Sequence, residues 1–234
     1  MRPLTESVPK CLLEIQGIPF LDIQIDWLVK TGVTELVLST GHLGEKVGEH
    51  LEKSPPKGVE VTWIREPKAL GTGGALRYLF KQGLLHDRFL VTYGDSLLPV
   101  DFGRVMEYFR RCLKPALLTV YRNEGRWDAS NVWYEDGRLI RYDKSQESIP
   151  EIHRTHIDYG LMGFSRDILA TMPVEVPSDL AALLTALSIA GNLEGLEVRN
   201  RFYEMGSSEG FHELNELWKR SDFRGGLDLG LPGF

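Results

Sequence analysis

The first half of this 234-residue chain alternates helical apolar spacing with short apolar strands. A chain that does so is committed to a mostly parallel sheet covered on both faces. Pro19 opens a helical pattern with Phe20, Ile23, Trp27 and Leu28 along one side, and Gly32 ends it. Residues 35–39 form a buried-strand pattern, and residues 43–53 read as an amphipathic helix with Leu43, Val47 and Leu51 four apart. Strand 59–64, helix 73–82, strand 88–93 and helix 102–112 continue the alternation.

Beyond residue 115 the pattern changes. A strand is expected over 116–121. Segments 131–134 and 138–142 flank Glu135-Asp136-Gly137, a hairpin signal. One more strand is expected over 157–164, a helix over 178–190, short strands near 196–199 and 201–204, and a last helix over 207–220 capped by Ser207 or Ser208. Residues 225–234 hold four glycines and a proline and read as a loosely ordered tail, which leaves one domain over 1–224. The first half thus reads like an α/β unit of the nucleotide-binding kind, and the second like hairpins and inserted strands that complete a pocket. In such sheets ligands bind at the carboxyl ends of the strands, which directs attention to particular loops.

Composition excludes several classes. Hydrophobic residues at 42% and charged residues at 26% are those of an ordinary globular protein. The net charge of −6 and the lack of a Lys/Arg run argue against a nucleic-acid partner. No stretch is apolar for long enough to span a membrane, and the N-terminus has no apolar segment of the signal-peptide kind, so a cytoplasmic protein without a membrane partner is expected. Cys11 and Cys112 form no CxxC pair and sit among apolar residues, as buried thiols of a reducing compartment do.

Six loops carry candidate chemistry. Lys10 follows the rigid Pro9, and a cation fixed in this way suits a phosphate whose charge grows during reaction; an ordinary surface turn has the same appearance. After Glu66, the loop Gly71-Thr72-Gly73-Gly74 lies between a strand and a helix, where glycines admit a flat ligand and a helix start offers N–H donors; it also reads as a plain tight turn and matches neither common phosphate-loop pattern. Gly94-Asp95 follows an apolar strand, where a carboxylate can hold Mg²⁺ against a triphosphate, or simply make a turn. Glu204 ends a late strand and would share that metal if it faces Asp95. Lys144 closes the hairpin, and Asp158-Tyr159-Gly160 is a polar group at a strand terminus. His153 and His156, three apart, have no further ligands around them and read as loop or substrate-side residues.

The order of these blocks is more specific than any one of them. RPLTESVPK, EPKALGTGGAL, VTYGDS, YDK, IDYG and YEMGSSEGF, in sequence along nearly the whole chain, resemble the sugar-phosphate nucleotidyltransferase family. The resemblance is greatest to its bacterial heptose- and mannose-1-phosphate guanylyltransferase branch. It implies a three-layer α/β/α Rossmann-like fold of the nucleotide-diphospho-sugar transferase kind. The implied reaction is Mg²⁺-dependent transfer of a nucleoside monophosphate from an NTP, GTP being favoured, to a sugar 1-phosphate. Carried over by position, Lys10 and Gly94 meet the nucleotide, and Glu66, Gly71, Thr72, Gly73 and Gly74 pack on its base. Asp95 and Glu204 bind the metal, with Glu204 standing where many members have Asp. Lys144 holds the sugar phosphate and Asp158, Tyr159 and Gly160 line the sugar site. Lys10, Asp95 and Lys144 are then the catalytic set, and a homo-oligomer is in keeping with the family.

Two other readings remain: a non-catalytic homologue that binds a nucleotide or nucleotide-sugar, and a GT-A-type glycosyltransferase, against which Asp95-Ser96-Leu97 lacks the DxD pattern. The family begins with a strand and a GGxGTR loop directly before RPLT. The expectation is therefore that the natural start lies upstream of Met1, and that the neighbours of this central first strand lack backbone partners.

Overall fold

The computed structural model of the protein describes residues 7–173 and 176–220. The Gly-rich stretch 225–234 and residues 2–6 of the first block lie outside the described residues. The chain divides into two compact units. Of the described residues, one takes 7–69, 93–103 and 202–220; the other takes 70–92 and 104–201.

In the first unit a tight hairpin joins β1 (Glu14–Ile15) to β2 (Ile18–Pro19). Its two turn residues, Gln16 and Gly17, both have positive φ, 50° and 80°, the primed geometry that matches strand twist. Helix α1 (Phe20–Lys30) follows directly and buries two faces. Phe20 and Ile23 pack with Leu13, Ile15, Leu97, Met205 and Leu214. Leu21 and Ile25 pack with Val47 and Leu51 of α2 (Gly44–Lys53) over the inner residues of β3 (Glu35–Thr40) and β4 (Glu60–Arg65). β3 and β4 pair in parallel, Glu35 opposite Glu60 through Thr40 opposite Arg65, with α2 as the crossover that a parallel pair requires. Two further two-residue strands, β6 (Ser96–Leu97) and β12 (Tyr203–Glu204), pair antiparallel, and α6 (Ser208–Lys219) follows with Ser207 capping the Gly210 amide.

The second unit is built on β10 (His156–Ser165). One side of β10 pairs with β7 (Ala116–Arg122); the other pairs with β5 (Arg88–Thr92) along residues 161–165 and meets β8 (Val132–Glu135) at His156. β8 and β9 (Arg138–Tyr142) form the hairpin, and β11 (Leu193–Val198) lies parallel to β7 on its outer edge. α3 (Gly71–Lys81), α4 (Phe102–Arg111) and α5 (Leu180–Ile189) complete the order of elements.

Where a mostly parallel sheet is expected, the described ladders are mixed. β3–β4 and β7–β11 are parallel, and the pairs made by β10 are antiparallel. β10 enters the sheet after the β8–β9 hairpin and runs against both β5 and β7. Among the described residues β3 pairs with β4 alone, and β5 with β10 alone. No helix of the described residues is long and apolar enough to cross a membrane.

Candidate active site

In the first unit the candidate residues gather at one loop. Asp95 sits in the turn between Tyr93 and β6, and its carbonyl accepts from the Met205 amide at 2.8 Å, continuing the ladder in which Ser96 opposes Glu204. Asp95 and Glu204 are thereby diagonal neighbours on adjoining segments. Gln24, buried in α1, donates from Nε2 to the carbonyls of Tyr93 (3.1 Å) and Ser96 (2.7 Å), which bracket Gly94 and Asp95. Trp27 Nε1 donates to the Leu98 carbonyl at 2.9 Å just beyond. One helix thus grips the loop on either side of Asp95.

Lys10, in a short 3-10 turn after Pro9, places Nζ 3.0 Å from Asp95 Oδ2. Both side chains keep about a third of their surface in water, 38% and 35%, so the pair contributes little to stability and remains open to other partners. Among the described residues nothing crowds Gly94: an added Cβ there meets no atom within 4 Å. Glu66 stands at the carboxyl ends of β3 and β4, its amide on the Thr40 carbonyl and its Oε1 receiving Ser39 Oγ at 2.9 Å. Burial pushes the adjacent Cys11 thiol up to about 11, so this cysteine is no nucleophile at neutral pH.

The donors for a metal are oxygens. Mg²⁺ takes one or two carboxylates and completes its shell with water and substrate phosphate, and Asp95 and Glu204 are carboxylates of that kind on adjoining segments. Among the described residues no group of three or more His, Cys, Asp and Glu could hold a metal ion. His153 instead stacks on Trp133 with ring centroids 4.0 Å apart. His156 is buried; that burial lowers its basicity, while its Nε2 faces Glu197 Oε1 at 3.3 Å.

In the second unit the glycine loop opens α3, and its inner amides are already taken. The Ser178 carbonyl accepts from Gly73 (2.9 Å) and Gly74 (3.4 Å), and the Ser178 amide donates back to the Leu70 carbonyl. The expectation of free donors along this loop is therefore corrected at Gly73 and Gly74, both buried; Gly71 and Thr72 are the exposed members. The glycines answer a packing demand. A Cβ would lie 2.6 Å from the Ser178 carbonyl oxygen at Gly71, 2.9 Å from Ser178 Oγ at Gly73 and 3.0 Å from Leu70 Cβ at Gly74.

Lys144 emerges from a loop locked by Asp143. That carboxylate accepts from the amides and hydroxyls of both Ser145 and Ser148. Partial burial pushes its pKa up, but the Ser148 and Ser145 hydrogen bonds more than offset it and hold it well below the usual carboxylate range. Lys144 Nζ lies 2.7 Å from Asp179 Oδ2.

Asp158, Tyr159 and Gly160 occupy an irregularity of β10. Asp158 pairs with Val120 and Met162 with Leu118, so four residues advance while β7 advances two. Such bulges re-aim side chains. Asp158 is half-buried, with its amide on Asn131 Oδ1 and its Oδ1 on the Gly160 amide. Tyr159, expected to line the sugar site, is 2% exposed, with its ring centroid 6.5 Å from that of Tyr121.

Gln24 and Asp179 are the residues the sequence reading omits. A lone glutamine amid Phe20, Ile23 and Ile25 was the available signal for the first. Asp179 reads from sequence only as the residue before an apolar helix.

The mannose-1-phosphate guanyltransferase beta-B of Xenopus laevis is 25% identical over 218 residues, which cover 90% of this chain and 59% of that protein. The mannose-1-phosphate guanylyltransferase of Mycobacterium tuberculosis is 24% identical over 174 residues, covering 74% of this chain and 47% of that protein. The chain therefore spans about half to three-fifths of the length of these relatives. Among solved structures, HddC from Yersinia pseudotuberculosis complexed with GMP-PN has a TM-score of 0.73 at 19% identity over 93% of each chain. The inositol-1-phosphate CTP transferase from T. maritima has a TM-score of 0.71 at 19% identity, over 97% of this chain and 91% of that one. The fold is thus the Rossmann-like one of the nucleotide-diphospho-sugar transferases. Residues 1–125, more than half of the chain, match the family model of the nucleotidyl transferases, and the chain belongs to that family.

Proposed function

We propose that the protein transfers a nucleoside monophosphate from an NTP, GTP first among them, to a sugar 1-phosphate. A phosphate oxygen of the sugar 1-phosphate attacks the α-phosphorus, the bond to the β-phosphate oxygen breaks, and pyrophosphate leaves. Such transfer asks the protein for alignment and charge neutralisation rather than covalent participation. The observation that carries the reading is the Lys10–Asp95 pair on a loop gripped by Gln24 beside Glu204.

In this reading Lys10 and Gly94 meet the nucleotide phosphates, and Glu66, Gly71 and Thr72 approach the base. Asp95 and Glu204 hold Mg²⁺, which when bound neutralises charge on the triphosphate. Lys144 receives the sugar phosphate, and Asp158 with the Gly160 backbone faces the sugar. Residues 1–224 act as one catalytic domain in the cytoplasm, on small molecules rather than nucleic acid or membrane, and a homo-oligomer is part of the same proposal. The names of the relatives, mannose-1-phosphate guanylyltransferases among them, support GTP and a sugar 1-phosphate as the first substrates to try.

The test is pyrophosphate release with Mg²⁺, each NTP in turn, and a panel of sugar 1-phosphates including mannose, glucose and heptose. Release that depends on one NTP and one sugar phosphate is the expected result. A folded chain that binds nucleotide and releases nothing across the panel would establish the non-catalytic reading instead.

Gly94 separates folding from binding. Because a Cβ at this position meets only open space, Gly94→Ala should leave thermal stability within about 0.5 kcal/mol of wild type. It should weaken nucleotide binding by roughly tenfold, the extra methyl standing where a ligand approaches the backbone. Calorimetric titration with a non-hydrolysable nucleotide reads this directly, and unchanged affinity would remove Gly94 from the nucleotide-facing residues.

A further inference from the structure

Asp179 does three things at once. It is the N-cap of α5, its Oδ1 accepting from the Ala181 amide at 2.9 Å. The same oxygen lies 3.3 Å from Thr72 Oγ1 at the start of α3, and Thr72 Oγ1 in turn accepts from the Leu180 amide at 2.9 Å. Its other oxygen, Oδ2, accepts from Lys144 Nζ. The amide of Ala181, foremost, and then Lys144 hold its carboxyl below the ordinary aspartate range. Asp179 therefore joins the Lys144 loop, the exposed beginning of the glycine-loop helix and the start of α5. The loop side of this junction is already stiff, because Asp143 fixes it by four hydrogen bonds from Ser145 and Ser148. What remains mobile is the lysine side chain, 65% exposed.

We infer that Asp179 is the positioning residue for Lys144, aiming its ammonium beside Thr72 so that an incoming phosphomonoester meets an oriented cation instead of a freely rotating one. The inference rests on the assignment of Lys144 to the sugar phosphate and adds the residue that makes that assignment effective. Lys144 has three N–H donors, so a phosphate can take one while Asp179 keeps another. Asp179 is itself a negative charge near the expected phosphate, and its removal by itself favours an anion. With the two side chains 65% and 52% exposed, water and salt screen most of that gain, and loss of alignment is the larger effect.

Asparagine at 179 isolates the aiming function. It keeps Oδ1, caps helices as well as aspartate does, and so preserves the contacts to Ala181 and Thr72. It replaces Oδ2 with an NH₂ group, which cannot accept from an ammonium. The experiment is a double-mutant cycle on the full chain of Asp179→Asn and Lys144→Met, titrated with inorganic phosphate and with glucose 1-phosphate in about 0.3 M salt. Thermal midpoints and GTP affinity are measured alongside.

Expected is a roughly three- to tenfold loss of phosphate affinity in Asp179→Asn, the cost of leaving one long side chain to find its own rotamer. Lys144→Met should lose more, and the double variant should be no worse than Lys144→Met. GTP affinity and thermal midpoint should hold in Asp179→Asn. Additive losses in the double variant would overturn the proposal, since a purely structural role acts whether or not Lys144 is present. So would an Asp179→Asn variant that binds phosphate as tightly as wild type or more tightly, and so would a wild type that binds GTP but no phosphate. The predicted cycle in a chain that never releases pyrophosphate would instead sink the transferase reading and leave the positioning role standing.

Discussion

Asp95→Asn should lower the turnover number for pyrophosphate release by at least a hundredfold while leaving the protein folded. Asparagine has the same shape, and the ladder contact at this position uses the Asp95 backbone carbonyl, which the substitution leaves in place. The lost ion pair with Lys10 joins two side chains with about a third of their surface in water, and pairs of that kind are worth ~0–1 kcal/mol. Stability should therefore move by no more than that. The proposed reaction should lose more, because charge developing on a triphosphate is met by few groups and the carboxylate proposed to hold its counter-ion is one of them. Raising Mg²⁺ should restore part of the rate if the defect is metal affinity. Steady-state kinetics against Mg²⁺, with a thermal melt as control, measures both. A turnover number within tenfold of wild type would remove Asp95 from the metal site.

The sequence reveals this loop unevenly, and the reasons are physical. Asp95 and Lys10 were legible singly, as a polar residue after an apolar strand and a lysine after proline. Their contact, across 85 residues, depends on α1 gripping the loop and could not be read from spacing. Helix and strand starts are legible where a turn residue marks them: α1 and β9 begin where Pro19 and the Glu135-Asp136-Gly137 turn place them. The β1–β2 hairpin escaped notice because Gln16-Gly17 is a weak turn signal beside Asn-Gly, and β6 because two residues carry no period. Tyr159 shows the limit from the other side. Asp158-Tyr159-Gly160 reads as a polar group at a strand terminus, and neither the bulge there nor the burial of the tyrosine ring leaves a compositional trace.

Gly71→Ala should be among the most destabilising single-methyl additions in the chain, at about 3 kcal/mol. Gly71 has φ +70°, a left-handed conformation that costs an L-residue ~1–2 kcal/mol. Its Cβ would also stand 2.6 Å from the Ser178 carbonyl oxygen and 3.2 Å from the carbonyl carbon, both backbone atoms that no rotamer change can move. Relief requires the Ser178 segment to retreat, which stretches the bonds from Gly73 and Gly74 to that same carbonyl and adds overpacking strain of ~1–3 kcal/mol. At ~2–4 °C per kcal/mol for a chain of this length, the midpoint should fall by roughly 6–12 °C. Gly83 separates the two terms. It has φ +73° and nothing within 4 Å of an added Cβ, so Gly83→Ala carries the conformational strain alone and should cost about 1 kcal/mol. Equal losses at the two positions would mean that the Ser178 segment yields freely, and that the glycine loop is held by its backbone conformation rather than by the chain packed upon it. A larger loss at Gly71, accompanied by weaker phosphate binding, would tie the packing of Ser178 to the placement of Asp179, one residue further along, and of Lys144 paired with it.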